Sequence, residues 1–150
     1  MYKFRCGILA LAVLLLFCGC SSVPETSPAS TIEYLEESEE VRAYIYENDT
    51  ILKFVPSDTF FSLLEGEWTE KNGKADGDKL LSIMAEDQYE ICFFTDGTAM
   101  IYYGYVGLLQ RDRQYYTFSP TENIEKLIQY ITENGTVDEE SESREGGTAS

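Results

Sequence analysis

The sequence predicts an α+β domain: an antiparallel sheet of about five strands with two helices packed on one face. Three observations carry this expectation. Residues 90–94 and 99–105 are apolar, β-rich runs joined by Thr95-Asp96-Gly97-Thr98, and Asp-Gly suits the positive φ angles of a tight primed hairpin turn. Ile124, Leu127, Ile128 and Ile131 recur at helical spacing. The chain also twice leaves a strand through proline, a hydroxyl residue and an acid before entering an apolar helical pattern, and an acid in a first turn complements the helix dipole.

Taken in order, residues 32–40 are acidic with Ile32 and Leu35 on one side, a weak signal for a short helix. Residues 41–46 read as a strand, Asn48-Asp49 as a turn, and residues 51–55 as the returning strand. Pro56 closes that strand, and Ser57 suits the N-cap of a helix bearing Phe60, Leu63 and Leu64, which Gly66 stops early. Residues 71–78 form a polar loop with two glycines, and Leu80 to Met84 reads as a strand before a turn at Glu86-Asp87. After the hairpin, residues 114–118 make a further strand. Pro120-Thr121 opens the last helix, and Asn134-Gly135 ends it in a left-handed cap. The segments beginning at Phe54 and Phe118 share the pattern Phe-x-Pro-[Ser/Thr]-[Asp/Glu]-x-apolar-x-x-Leu-apolar. Duplication of a strand–strand–helix unit and convergence on good capping chemistry both account for it.

Composition bounds the chemistry. The chain has 150 residues and a formal net charge of −16; setting aside Lys3 and Arg5 with the leader described below makes it −18. Such a field repels nucleic acid and anionic lipid head groups. It leaves basic proteins, metal cations and neutral molecules as partner classes. There is no histidine, so Ser-His-Asp and Cys-His arrangements are excluded. No phosphate loop, dinucleotide fingerprint or zinc spacing occurs. The expectation is therefore no catalytic residue, no cofactor and no bound metal.

The N-terminus fixes an expected address. Lys3 and Arg5 precede an apolar run over residues 8–18, which ends in Phe17-Cys18-Gly19-Cys20. The run is shorter than the roughly 20 residues that span a bilayer and suits the h-region of a secretory signal. Phe17-Cys18-Gly19-Cys20 resembles the lipobox of bacterial lipoproteins. The resemblance implies that Cys20 receives a diacylglyceryl group and that cleavage follows between Gly19 and Cys20. The membrane is then a partner through the lipid on Cys20, on the extracytoplasmic side of the cell membrane. Two or more acyl chains anchor stably where one does not. The domain organisation follows: a signal peptide over 1–19, a Ser/Thr/Pro linker over 20–31, one α+β domain over 32–135, and an acidic disordered tail over 136–150. With Cys6 and Cys18 removed and Cys20 lipidated, Cys92 stands alone in an apolar strand. There it is read as a small buried hydrophobe, and no internal disulfide can form.

The aromatic residues are the main functional hint. Tyr102, Tyr103, Tyr105, Tyr115 and Tyr116 fall on adjacent strands. Alternation sends Tyr103 and Tyr105 to one face and Tyr102 to the other. A face free of helices could present tyrosines to a peptide, a glycan or an envelope protein; half-buried strand tyrosines are the plainer reading. Residues 72–78 look like part of a calcium loop, but Lys74 stands where a ligand belongs and Ile83 where the closing glutamate belongs.

These readings converge on a membrane-anchored lipoprotein whose domain is a non-enzymatic binding, accessory or sensor module at the cell envelope. A small envelope hydrolase using paired carboxylates and a cation-binding lipoprotein are the alternatives. The leader reading makes a direct prediction: Cys20→Ser leaves the membrane fraction when cells are lysed and fractionated. Equal recovery of Cys20→Ser and the parent in that fraction would refute lipid anchoring.

Overall fold

A computed structural model describes residues 27–85, 88–104 and 113–138. The expected α+β class, antiparallel sheet and helices are present, but among the described residues the sheet has eight strands rather than about five, and there are three helices rather than two. In chain order these are α1 (Pro28–Glu37), β1 (Val41–Ile45), β2 (Thr50–Phe54), α2 (Asp58–Leu64), β3 (Glu67–Glu70), β4 (Lys79–Ala85), β5 (Tyr89–Phe94), β6 (Thr98–Tyr103), β7 (Gln114–Ser119), α3 (Glu122–Asn134) and β8 (Thr136–Val137). The leader, Cys20, Tyr105 and the turn at Glu86-Asp87 lie outside the described residues.

Each additional element has a local cause. α1 starts at Pro28, inside the segment the sequence reads as linker, because serine and proline are also helix-start residues. The hydroxyl of Ser27 accepts from the Ser30 N–H, that of Ser30 accepts from the Ser27 N–H, and Pro28 occupies the first turn. The helix buries Thr31 and Leu35. β3 has one apolar residue in four, too few to signal a strand. Its Trp68 ring packs 4.7 Å from Phe118, and the indole N–H donates to the Leu64 carbonyl at 3.2 Å. β8 is two residues long and lies in the segment read as tail; it pairs with β2 through Leu52–Val137 and Lys53–Thr136.

The sheet order is β3-β7-β6-β5-β4-β1-β2-β8, with every neighbouring pair antiparallel. This order reads alike from both ends if β3 answers β8, β7 answers β2, β6 answers β1 and β5 answers β4. The register agrees. Matching Ala43 to Ala99 turns the pairs Ala43–Ile83, Tyr44–Ser82 and Ile45–Leu81 into Ala99–Phe93, Met100–Cys92 and Ile101–Ile91. Ser82 then answers Cys92, and these two are themselves paired at the sheet centre. Val41 opposite Phe54 becomes Gly97 opposite Phe118, where the Phe118 N–H donates to the Gly97 carbonyl at 3.0 Å. The two strand–proline–helix segments of the sequence therefore occupy answering positions.

The three helices among the described residues all lie on one face. Leu35, Phe60, Leu64, Ile124, Leu127 and Ile131 share a core with Val41, Ala43, Ile45, Leu52, Phe54, Leu81, Ile83, Ile91, Phe93, Ala99, Ile101 and Phe118. α2 packs against α3, and the buried Asn123 amide donates to the Leu63 carbonyl at 3.1 Å. With the Trp68 bond, this satisfies two carbonyls at the end of α2 that have no partner within the helix.

Three local expectations are corrected. Ser57 sits at the N-cap of α2 but does not cap it; its hydroxyl instead meets that of Tyr130 at 2.8 Å. Gly135 ends α3 in extended backbone (φ −86°, ψ 157°), not left-handed. Space explains the glycine there: an added Cβ would lie 2.7 Å from the Ile131 carbonyl and 3.0 Å from Leu52 Cβ. In the β5–β6 turn Gly97 alone has positive φ (76°), and its N–H donates to the Phe94 carbonyl at 3.1 Å. That is the three-residue loop with a glycine bulge rather than a primed two-residue turn.

Gly66 is placed by the same kind of contact, since its added Cβ would lie 2.5 Å from the Ser119 carbonyl and 2.7 Å from the Phe118 ring. Gly66→Ala is expected to destabilise the domain by about 1–3 kcal/mol, the usual cost of overpacking, as read from a denaturant midpoint. An unchanged midpoint would contradict the close β3–β7 approach.

Candidate functional site: the outer face of the sheet

Strand alternation sends Val41, Ala43 and Ile45 under the helices and Arg42 and Tyr44 to the opposite, outer face. A row of side chains runs across that face, through the paired positions Tyr44, Ser82, Cys92, Met100 and Tyr115. Beside it runs Arg42, Met84, Glu90 and Tyr102. Among the described residues no helix covers this face. Cys92, Phe94 and Met100 form a second buried cluster there, with Tyr102, Tyr115 and Ala75 packed against it.

Of the five tyrosines singled out in the sequence, Tyr105 lies outside the described residues and the other four divide between the two faces. Tyr102 and Tyr115 lie together on the outer face, both half-buried. Tyr103 lies on the helix side, opposite Tyr89 with the rings 4.7 Å apart, and Tyr89 stacks in turn on Tyr34 of α1 at 4.0 Å. Burial, with Tyr103 nearby, pushes the Tyr89 hydroxyl pKa up. Tyr116 is 9% exposed and belongs to the core beneath the helices. These two serve packing.

Two other tyrosines join the outer face. Tyr44 and Tyr46 meet edge to face with centroids 4.5 Å apart, and the Tyr44 hydroxyl donates to Asp49. The signal was available in the sequence, because Arg42, Tyr44 and Tyr46 alternate with Val41, Ala43 and Ile45. Tyr46 opens a polar network. Its hydroxyl meets Lys79 Nζ at 3.4 Å and Ser82 Oγ at 3.3 Å, and Ser82 Oγ donates to Glu90 Oε1 at 2.7 Å. The Lys79 ammonium also lies 5.4 Å from the Tyr46 ring centre, a cation–π distance. Ser82 is the lone polar residue in Leu80-Leu81-Ser82-Ile83-Met84, which marks it in the sequence as well.

These groups are poor reagents. Ser82 is 1% exposed and already donates to a carboxylate. Cys92 is wholly buried, and desolvation, with a smaller push from Glu90, raises its thiol to about 11 against the opposing pull of Ser82 and Lys79. It is protonated at neutral pH, whereas the thiolate is the nucleophile. Among the described residues no three of His, Cys, Asp and Glu gather as metal ligands.

One end of the face is closed by the loop over residues 71–78. Asp96 accepts from the Asp76 N–H at 3.0 Å and from Lys71 Nζ at 3.4 Å on one oxygen, and from the Thr98 N–H at 3.0 Å on the other. The Asp78 N–H donates to Thr95 Oγ1, and the Thr95 N–H donates to the Asp78 carbonyl. This is the segment that looks like a calcium loop, and here the ammonium of Lys71 sits between Asp96 and Asp76, 3.7 Å from the latter. Desolvation raises the Asp96 carboxyl pKa, but the Asp76 and Thr98 N–H groups, the Thr98 hydroxyl and Lys71 outweigh it and hold it well below the usual carboxylate range. That shift is opposite to what a general acid needs.

No family model, curated protein or solved structure matches the chain. Among the described residues no helix is long and apolar enough to cross a membrane.

The depressed Asp96 pKa sets a pH signature. A carboxyl lowered by folding contributes stability above its unfolded value, and that contribution is lost as pH falls toward the folded one. Asp96→Ala is expected to cost about 1–3 kcal/mol at neutral pH, the range for unmaking a group's hydrogen bonds. The gap from the parent should narrow below about pH 4, the ordinary carboxylate range. Thermal unfolding across pH measures this, and a gap constant with pH would contradict it.

Proposed function

We propose that this chain is a lipid-anchored, extracytoplasmic binding module that recognises its partner through the outer face of the sheet, without chemistry of its own. The observation that carries the reading is the gathering of Tyr44, Tyr46, Tyr102 and Tyr115 on the face the helices leave uncovered. Tyrosine offers apolar area with a polar tip and is favoured where surfaces are recognised. The buried, engaged state of Ser82 and Cys92 supports binding over catalysis. The leader supports the address: Cys20 carries the lipid, and the domain works at the cell envelope as an accessory or sensor component. The acid surplus favours a basic or neutral partner over nucleic acid.

The architecture has a proposed origin that fits this role. Two ββαβ units, β1-β2-α2-β3 and β6-β7-α3-β8, derive from one ancestor and flank the central β4–β5 hairpin. Support comes from the shared Phe-x-Pro pattern and the matching register. Tyr46 and Tyr102 are then answering positions of one surface.

The test is a cross-linked pull-down from intact membranes with the parent and a Tyr46→Ala/Tyr102→Ala double variant. Two contact tyrosines typically contribute 2 kcal/mol or more between them, so partner recovery should fall at least about tenfold while the domain keeps its melting temperature within a few degrees. Undiminished recovery would refute the outer face as the binding surface.

A further inference from the structure

β3 and β8 hold answering places at the two edges of the sheet, yet they are fastened differently. β3 pairs with β7 over four residues and is sealed by Trp68, which packs on Phe118 and lies 6.0 Å from Phe93. β8 pairs with β2 over two residues, both exposed, with Val137 58% exposed. Apolar burial therefore does little to hold β8.

Asp138 does more. Its N–H donates to the Ile51 carbonyl at 3.1 Å, and its carboxylate, 4% exposed, meets Lys53 Nζ at 2.9 Å and Arg42 Nε at 3.4 Å. Lys53 is on β2 and Arg42 on β1, directly opposite one another. One buried acid thus ties the C-terminal strand to both strands of the β1–β2 hairpin. The carboxylate is desolvated while Arg42 and Lys53 keep side-chain exposures of 42% and 21%, so the buried acid depends on these two cations for its compensation and Asp138→Asn removes both contacts at once. Elements with few apolar contacts open locally at lower free energy than the core.

We propose that β8 is a releasable strap, fastened by Asp138, whose undocking loosens the β1–β2 hairpin and with it the Tyr44–Tyr46 half of the outer face. The Tyr102–Tyr115 half, on β6 and β7, is secured separately by β3. The strap couples the C-terminal segment to one half of the candidate surface. Only its consequence for a bound partner rests on the binding reading.

Hydrogen exchange by mass spectrometry on the purified full chain, with no partner present, tests the strap independently of that reading. Asp138→Asn should speed exchange in β1 and β2 by roughly tenfold or more, as local opening becomes easier, while β6 and β7 keep parental rates. Asp138→Glu, which restores the charge, should recover much of the protection. Unchanged exchange in β1 and β2 would overturn the proposal. So would a uniform rise across all strands, or unfolding of Asp138→Asn, because either would make the acid a global rather than a local fastening.

Discussion

The constraint on which the structure depends is that each unit's last strand lies at the far edge of the sheet. β2 is next to one edge, while the strand that follows α2 pairs at the opposite edge; β7 and β8 make the same journey in reverse. Connections of this kind cross a sheet on a face, and here both use the same one. α2 and α3 consequently meet, Asn123 bonds the end of α2, and Phe60, Leu64, Ile124, Leu127 and Ile131 close over the strands. The central pairs Leu81–Phe93 and Ile83–Ile91 supply the apolar floor beneath them. With the crossings on one side, the other side is finished, among the described residues, by side chains and the 71–78 loop.

That asymmetry explains the character of the outer face. A sheet surface without helices cannot be uniformly apolar without exposing a large sticky patch. Here Tyr46, Ser82 and Glu90 satisfy one another, Lys79 covers the Tyr46 ring, and the apolar Cys92–Phe94–Met100 cluster lies beneath tyrosines and Ala75. No buried side-chain polar atom among the described residues lacks a partner. A satisfied polar network of this kind rigidifies its surroundings and holds nearby rings in fixed positions. Rigid tyrosines lose little conformational entropy on binding, which is the physical basis of the recognition proposed for this face.

Much of this was legible in the sequence, and the failures have physical causes. The β5–β6 hairpin and α3 were readable because two apolar runs about a glycine turn and a strong helical period agree with the tertiary structure, although the turn type differs. β3 and β8 were not, because each is stabilised from outside itself: β3 by one tryptophan docking on Phe118, and β8 by one aspartate reaching two cations. Ile32 and Leu35 signal α1, but its first turn is hidden because the capping serines and Pro28 look like linker composition. Gly135 and Ser57 were recognised as important but given the wrong roles, since close approach to Leu52 and a bond to Tyr130 exist only in the folded chain. On the candidate site, strand alternation is enough to send Tyr102 and Tyr103 to opposite sides, as the structure has them, whereas Tyr44 and Tyr46 become neighbours of Ser82 only through the β1–β4 pairing.

Recognition through the outer face requires that this face be occupied when the protein is at work. Hydroxyl-radical footprinting of the full chain in intact membranes, set beside the purified protein, addresses it directly. Tyr44, Tyr46, Tyr102 and Tyr115 are expected to be oxidised less in membranes than in isolation, while Tyr130 on α3 is oxidised equally in both. Equal oxidation of the four outer-face tyrosines in the two samples, or protection confined to Tyr130 and the helix side, would contradict it.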